Sequence, residues 1–223
     1  MMSQIVKISS LEKITHDVLK VQFEKPNEYS FIPGQAADIS FNEPEWSDKL
    51  SCFTFTSLPE ENYLEFTIKT YPSRKRVTNK FLSANVGDEL LLNDPFGDIK
   101  SHGEGVFIAG GAGITPFIAI LKVLELNGEI GNSKLIFANK TAKDIIAKDY
   151  FDKILGKNFI NVLSDEWVEG YEHGYINNEI IKKYVQEDTP NYYLCGPPPM
   201  MESVIKSLNS IGIKESQIIK ESY

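Results

Sequence analysis

The chain has 223 residues, 42% of them hydrophobic and 24% charged, with a net charge of −8. That length is enough for two small domains, each with its own core. The acidic balance argues against nucleic acid as a partner, and no apolar run approaches the ~20 residues that cross a bilayer. The start, Met1-Met2-Ser3-Gln4-Ile5-Val6-Lys7, lacks the apolar core of a signal peptide. Cys52 and Cys195 are the only cysteines and lie far apart, the pattern of two free thiols in a cytoplasmic protein. His16, His102 and His173 show no metal-ligand spacing, so no metal site is expected.

From residue 4 to residue 95 short β-rich runs alternate with turn signals. Strands are expected at 5–9, 17–24, 36–41, 51–57, 63–70 and 89–93. Lys25-Pro26-Asn27, Ile32-Pro33-Gly34, Leu58-Pro59-Glu60 and Val86-Gly87-Asp88 mark turns between them. Even spacing of short strands predicts an antiparallel six-stranded β-barrel. One short helix interrupts it, starting near Val77 and Thr78, with Thr78 a candidate cap.

Three stretches of this half could carry chemistry. Phe31-Ile32-Pro33-Gly34-Gln35 is a turn before a strand. Ser51-Cys52-Phe53-Thr54-Phe55-Thr56-Ser57 alternates aromatics with small hydroxyls. It reads either as core phenylalanines with threonines on the opposite face, or as a hydroxyl-lined surface for a flat polar ring. Arg74-Lys75-Arg76 holds the chain's only two arginines. Beside a helix start these cations form an anion site, or else a solvated loop.

After Asp94-Pro95-Phe96-Gly97 the pattern changes to alternating strands and helices. Strands are expected at 106–109, 134–138, 159–163, 192–195 and 217–221, with helices at 114–126, 144–155, 177–185 and 199–211. This order predicts a doubly wound parallel five-stranded α/β sheet with helices on both faces. The chain therefore divides into residues 1–98 and 99–223. Ligands bind such sheets at the carboxyl ends of the strands. Three loops lie there: Gly110-Gly111-Ala112-Gly113-Ile114-Thr115-Pro116, Asn139-Lys140-Thr141, and Cys195-Gly196-Pro197-Pro198-Pro199-Met200. In the first, an apolar strand runs through a glycine turn into a helix. Its free N–H groups suit a phosphate, and Pro116 fits the first helical turn. It matches neither the P-loop nor G-x-G-x-x-G. Cys195, read by itself, is a small buried hydrophobe.

Taken together these pieces resemble the ferredoxin–NADP reductase family over nearly the whole chain. That family pairs a flavin-binding barrel with a nucleotide-binding α/β domain in this order. Gly110–Pro116 resembles its dinucleotide pyrophosphate loop, with Gly111, Ala112, Gly113, Ile114 and Thr115 as the contacts. Cys195-Gly196-Pro197 resembles the signature whose cysteine faces the nicotinamide. Phe31–Gln35 resembles the turn before the flavin strand, and Asp94–Gly97 the linker. Glu221-Ser222-Tyr223 resembles a terminus whose tyrosine stacks on the flavin while a glutamate relays protons.

The resemblance implies FAD and NADPH or NADH as cofactors, with hydride passing from nicotinamide to flavin and single electrons leaving it. Thr54, Cys195, Glu221 and Tyr223 would be catalytic. Phe53, Thr54, Phe55, Thr56, Arg76, Val77, Thr78 and Tyr223 would hold the flavin; Lys140, Gly196 and Pro197 would join the glycine loop in holding the dinucleotide. Lys140 favours NADPH, as a cation for a 2′-phosphate. The C-x₄-C-x₂-C set of a plant-type iron–sulfur cluster is absent, so the acceptor is expected to be a separate, transiently bound carrier such as ferredoxin or flavodoxin. It would dock on the positive run from Arg74 to Lys80. The protein itself is expected to be a cytoplasmic monomer without nucleic-acid partners or a membrane span. A free-flavin or ferric reductase, or a nucleotide-sensing module with a degenerate flavin site, are the alternatives. One departure stands out: the family arginine of the flavin strand is Ser51 here, and the family tyrosine is Phe53. Arg74 and Arg76 are the residues that could supply the missing charge.

Overall fold

The computed structural model describes residues 3–71, 76–185 and 189–221. Strands β1 (Gln4–Lys13), β2 (Val18–Glu24), β3 (Ala36–Phe41), β4 (Ser51–Thr54), β5 (Tyr63–Lys69) and β6 (Glu89–Leu92) form an antiparallel sheet in the order β4-β3-β6-β1-β2-β5. A bridge between Phe55 and Phe66 joins the two edges, so the sheet curls into a near-closed barrel. Val6, Ile8, Val21, Phe23, Phe41, Phe55, Phe66 and Leu90 are among the side chains that fill it. Helix α1 (Val77–Lys80) and a following 3₁₀ turn (Phe81–Ser83) plug one flank with Val77 and Phe81.

The second sheet is parallel. Strands β7 (Val106–Gly110), β8 (Lys134–Asn139), β9 (Phe159–Leu163), β10 (Glu172–His173), β11 (Tyr192–Cys195) and β12 (Ile218–Ile219) run in the order β10-β9-β8-β7-β11-β12. It has six strands rather than the five expected. The sixth, β10, is two polar residues long and has no hydrophobic pattern to announce it. Helices α2 (Thr115–Leu126) and α3 (Lys148–Leu155) carry side chains of the cluster on one face. Helices α4 (Asn178–Tyr184) and α5 (Pro198–Ser210) carry those of the other. Helix α3 begins later than its apolar pattern suggests. Asp144 closes a capping box on Thr141, and Ala147 adopts a left-handed conformation before the helix starts.

Strand β5 explains how the halves meet. Leu64, Phe66 and Ile68 point into the barrel. The alternate face carries Glu65, Thr67 and Lys69. Glu65 and Thr67 are buried although polar, because the second half covers them. Lys122 of α2 lies 3.7 Å from Glu65. The Lys69 ammonium lies 2.8 Å from Asp17 and 3.4 Å from Asp144. His16 completes this cluster, 3.7 Å from Asp144. The three potential metal ligands His16, Asp17 and Asp144 thus already share a cation of the protein's own.

Burial pushes the Asp144 carboxyl upward, but the Thr141 hydroxyl and N–H and the Lys69 ammonium outweigh it, so its pKa falls below 3.8. A lowered carboxylate pKa stabilises the fold above the unfolded value, and that contribution disappears as pH falls through the folded one. D144N is therefore expected to melt about 3–6 °C below the wild type at pH 7, for a loss of about 1–2 kcal/mol. The gap should narrow as the pH falls from 3.8 through the lower folded value, where the wild-type carboxyl takes up its proton. Thermal melts at a series of pH values check this.

Candidate active site

The parallel register places Cys195 beside Ala109. The loops leaving β7 and β11 therefore emerge side by side. Gly111 has a positive φ of 53°, which a side chain would strain. From Gly111 to Ile114 the chain forms a 3₁₀ turn that runs straight into α2, and neither element has a side-chain cap. Gly113 is fixed by contact: a Cβ there would stand 2.3 Å from the Cys195 carbonyl and 2.8 Å from Gly196 Cα. The two loops thus press together with no space for a side chain. Ala112 is half-buried. Ile114 is fully buried in the core, and the Thr115 hydroxyl donates to the Ala112 carbonyl at 3.0 Å. These last two hold the loop by packing and hydrogen bonding; the open N–H groups are what it offers a ligand. Pro197 is the exposed residue before α5, so Gly196 and Pro197 shape the second wall.

On the barrel side, β4 pairs Thr54 with Ala36 and Cys52 with Asp38. Phe53 turns inward, half-buried, against Phe66 and Phe81 at 5.7 and 5.9 Å. Cys52 and Thr54 therefore share the opposite face. Glu221 comes to this edge from beyond β12. Its carboxylate accepts from the Asp98 N–H at 3.1 Å. A Cβ on Gly97 would lie 3.2 Å from that carboxylate and 3.8 Å from the Ala36 nitrogen. The negative charge of Glu221 acts on both thiols, Cys52 and Cys195. Cys52, Cys195 and Glu221 thus come together from three distant stretches of sequence, with Thr54 on the same face of β4 as Cys52.

Not every residue expected at the site presents itself there. Phe55 is fully buried, with its ring 4.2 Å from Phe31. Thr56 is also buried: its hydroxyl bonds to Glu65 at 3.0 Å and meets Thr67 at 3.2 Å. Their side chains serve the barrel and the seam because they lie past the edge where β4 opens to the cleft. Thr78 does not cap α1. The cap position is Arg76, which is exposed and makes no capping bond. Thr78 sits inside the first turn, its hydroxyl oxygen buried with no partner. Lys80, expected in a docking patch, is paired with Glu43 at 3.0 Å. Arg74, Lys75 and Tyr223 lie outside the described residues.

Lys140 is exposed at the end of β8, beside a residue that composition gave no reason to single out. Both side-chain polar atoms of Asn139 are buried without partners, as is the Asn161 amide oxygen. Register puts the two residues on one face of β8 and β9. Buried amides without partners are rare in native folds and mark a place completed by something else. Two carboxylates stand nearby. Asp144 accepts from the Thr141 N–H at 2.9 Å, and Glu166 from the Ala142 N–H at 2.7 Å. Asp165 follows on, its N–H bonded to the Lys140 carbonyl at 2.9 Å.

Two family models match the chain: "FAD-binding domain" over residues 3–126 and "Oxidoreductase NAD-binding domain" over residues 107–206. The chain belongs to the ferredoxin–NADP reductase family. The propane 2-monooxygenase reductase component of Rhodococcus jostii is 27% identical over 97% of this chain and 62% of its own length. NADH-cytochrome b5 reductase 2-A of Vanderwaltozyma polyspora is 28% identical over 88% of this chain and 72% of its own. This flavoprotein chain therefore spans roughly two thirds of the length of such relatives. In fold it superposes on a Neisseria gonorrhoeae ferredoxin NADP+ reductase with bound FAD and NADP. The TM-score is 0.84 at 20% identity, over 99% of this chain and 98% of that one. The family's two cofactors, FAD and a nicotinamide dinucleotide, suit the two uncapped turns and the unpartnered atoms of Thr78 and Asn139.

Burial, with Glu221 and Cys52 nearby, pushes the Cys195 thiol up to about 12. Burial, with Asp38 and Glu221, pushes Cys52 up to about 11. Only a thiolate reacts readily with iodoacetamide, so at pH 8 both should be inert: a group of pKa 11 is about one part in a thousand ionised there. Mass spectrometry after alkylation at pH 8 and at pH 10.5 should show modification of Cys52 rising steeply only at the higher value.

Proposed function

We propose that the chain is an NADH-dependent flavoprotein reductase that hands electrons one at a time to a separate redox protein. The observation that carries this reading is that Glu221 brings its charge to both Cys52, beside Thr54 on β4, and Cys195, beside the glycine loop. Bound FAD takes up a hydride from a reduced nicotinamide and can release its two electrons singly; the protein supplies binding and orientation.

In this reading residues 1–98 hold the flavin and residues 99–223 the dinucleotide. The Val77 and Thr78 N–H groups, the Thr78 hydroxyl and Arg76 face the flavin pyrophosphate. Phe53 and Tyr223 give apolar surface, and the Thr54 hydroxyl lies at the reacting edge. Gly111, Ala112 and Gly113 take the dinucleotide pyrophosphate on their N–H groups, with Ile114 and Thr115 holding that turn in shape. Gly196 and Pro197 wall the nicotinamide, and Cys195, a neutral thiol, orients it. Glu221 brings its carboxylate to Cys52 and Cys195, where it relays a proton.

The donor follows from charge at the end of β8. A 2′-phosphate needs N–H groups or cations. The N–H groups of Thr141 and Ala142 are already taken by Asp144 and Glu166, and Asp165 adds a third negative charge. Asp144 is paired with Lys69, which leaves Lys140 facing Glu166 and Asp165, so a ribose hydroxyl fits better than a phosphate, with the Asn139 amide as its partner. The relatives named NADH-cytochrome b5 reductases support the same donor. A monooxygenase reductase component and cytochrome b5 reductases among the relatives support a protein acceptor.

Stopped-flow mixing of FAD-loaded protein with NADH and with NADPH is the test. Bleaching of flavin absorbance by NADH at least about tenfold faster than by NADPH is expected, since unpaired or repelled charge costs about 1.4 kcal/mol or more. Protein that stays colourless with FAD would leave only nucleotide sensing. Replacing Thr78 by Val should weaken FAD binding about 10-fold or more, the worth of one hydrogen bond to a charged group. Fluorescence titration of apoprotein with FAD measures it.

A further inference from the structure

Helix α2 is almost wholly apolar. Thr115, Pro116, Phe117, Ile118, Ala119, Ile120, Leu121 and Leu124 are buried. Its charged residues are Lys122 and Glu125, and Lys122 lies seven residues from Thr115, two turns along the same helix face. Its ammonium donates to the Thr56 carbonyl at 2.7 Å and lies 3.7 Å from a Glu65 oxygen. Glu65 is buried on the seam face of β5, and its carboxylate accepts from the Thr56 hydroxyl at 3.0 Å and from the Gln22 amide at 3.0 Å. The Thr56 N–H donates to the Glu65 carbonyl at 2.8 Å. Thr56 is therefore gripped at its N–H, its hydroxyl and its carbonyl, and the third grip comes from the other half of the molecule.

Thr56 is two residues beyond Thr54 in the same extended run. Lys122 is fixed to the helix whose first turn is the glycine loop. The chain of contacts from the loop through α2, Lys122 and Thr56 to Thr54 has few soft joints. A solubility role would place the lysine in water, and a stability role would need no particular carbonyl on the flavin strand. We propose that Lys122 is a positioning residue: it sets the gap between the glycine loop and Thr54, and so the alignment of the nicotinamide with the flavin. This rests on the reductase reading above.

The test compares wild type, Lys122→Met, Lys122→Arg and Glu65→Gln as FAD-loaded protein. Single-turnover reduction gives the limiting rate and the apparent affinity for NADH separately, and titration gives the affinities for FAD and NAD+. Amide hydrogen exchange reports on residues 54–57 and 110–115. Misplacement by about 1 Å can cost about 100-fold in rate, so Lys122→Met should lower the limiting rate about 10- to 100-fold. FAD and NAD+ affinities should stay within about twofold of wild type, because alignment rather than binding is lost. Lys122→Arg should recover most of the rate, and exchange should quicken in both segments together. Glu65→Gln should move the same way by less, since its oxygen can still accept from Gln22 and its NH2 can donate to the Thr56 hydroxyl oxygen while the charge is removed; it stands in if Lys122→Met does not fold. A limiting rate unchanged in Lys122→Met overturns the proposal, as does a loss fully explained by lost FAD. If wild type binds FAD but neither nicotinamide reduces it, the reductase reading falls. The seam is then judged by exchange alone, and unchanged exchange at both segments refutes it.

Discussion

The molecule depends on one strand belonging to two cores at once. The period of two in β5 sends Leu64, Phe66 and Ile68 into the barrel and leaves Glu65, Thr67 and Lys69 on the other face. An isolated barrel would leave that second face in water. Here the nucleotide half covers it, so each polar group needs a partner. Glu65 finds Thr56, Gln22 and Lys122; Lys69 finds Asp17 and Asp144. These partners are specific in distance and direction. A purely apolar seam would bury area equally well in several registers, whereas a lysine over one carbonyl is satisfied in only one. The relative placement of the sheets, and hence the cleft between them, follows from that pairing.

The cleft itself is built from what the fold leaves unfinished. The turns that begin at Arg76 and at Gly110 have no side-chain cap, as is also true of α3 and α5. One hydroxyl and one amide side chain, Thr78 and Asn139, are buried without partners. Among the described residues these atoms and the Asn161 amide oxygen are the buried side-chain polar atoms left without a partner. Desolvated atoms waiting for a partner cost stability in the free protein. The cost is offset when ligand phosphates and hydroxyls complete them.

How much of this could be read from sequence depends on the range of each interaction. The glycine loop was legible because its strand, turn and helix are contiguous, and the barrel because alternation and turn residues are local signals. Even the inward turn of Phe53 and Phe55 follows from period two. Thr78 was misjudged as a cap because the real helix start, Arg76, lacks a capping side chain, and residue type alone cannot reveal an unsatisfied hydroxyl. Strand β10 had too few residues to show a period. The carboxylates that close the end of β8 come from Asp144 and from Glu166, and the latter reaches Ala142 only because β9 lies beside β8. Nothing in the sequence marks Lys122; only the packing of α2 on the barrel shows where its charge goes.

The absence of the family arginine at Ser51 is best understood through the charge of the chain as a whole. With a net charge of −8 and only two arginines among 23 basic residues, the protein has few guanidinium groups to set against two pyrophosphates. Backbone N–H groups at turn starts do the same work without a side chain, since several of them converge on one anion and the helix dipole adds to them. They also cannot be screened by pairing with a neighbouring carboxylate, as Lys80 is by Glu43. A flavin site that relies on α1's first turn and the Thr78 hydroxyl tolerates a serine on β4 better than one that relies on a strand arginine. In the reading proposed above the same economy governs the dinucleotide side, where the Gly111–Gly113 N–H groups would take the pyrophosphate while those of Thr141 and Ala142 are already closed by Asp144 and Glu166. Open and filled N–H groups at neighbouring strand ends would then divide the ligand into a charged part that is welcomed and a neutral part that must stay neutral.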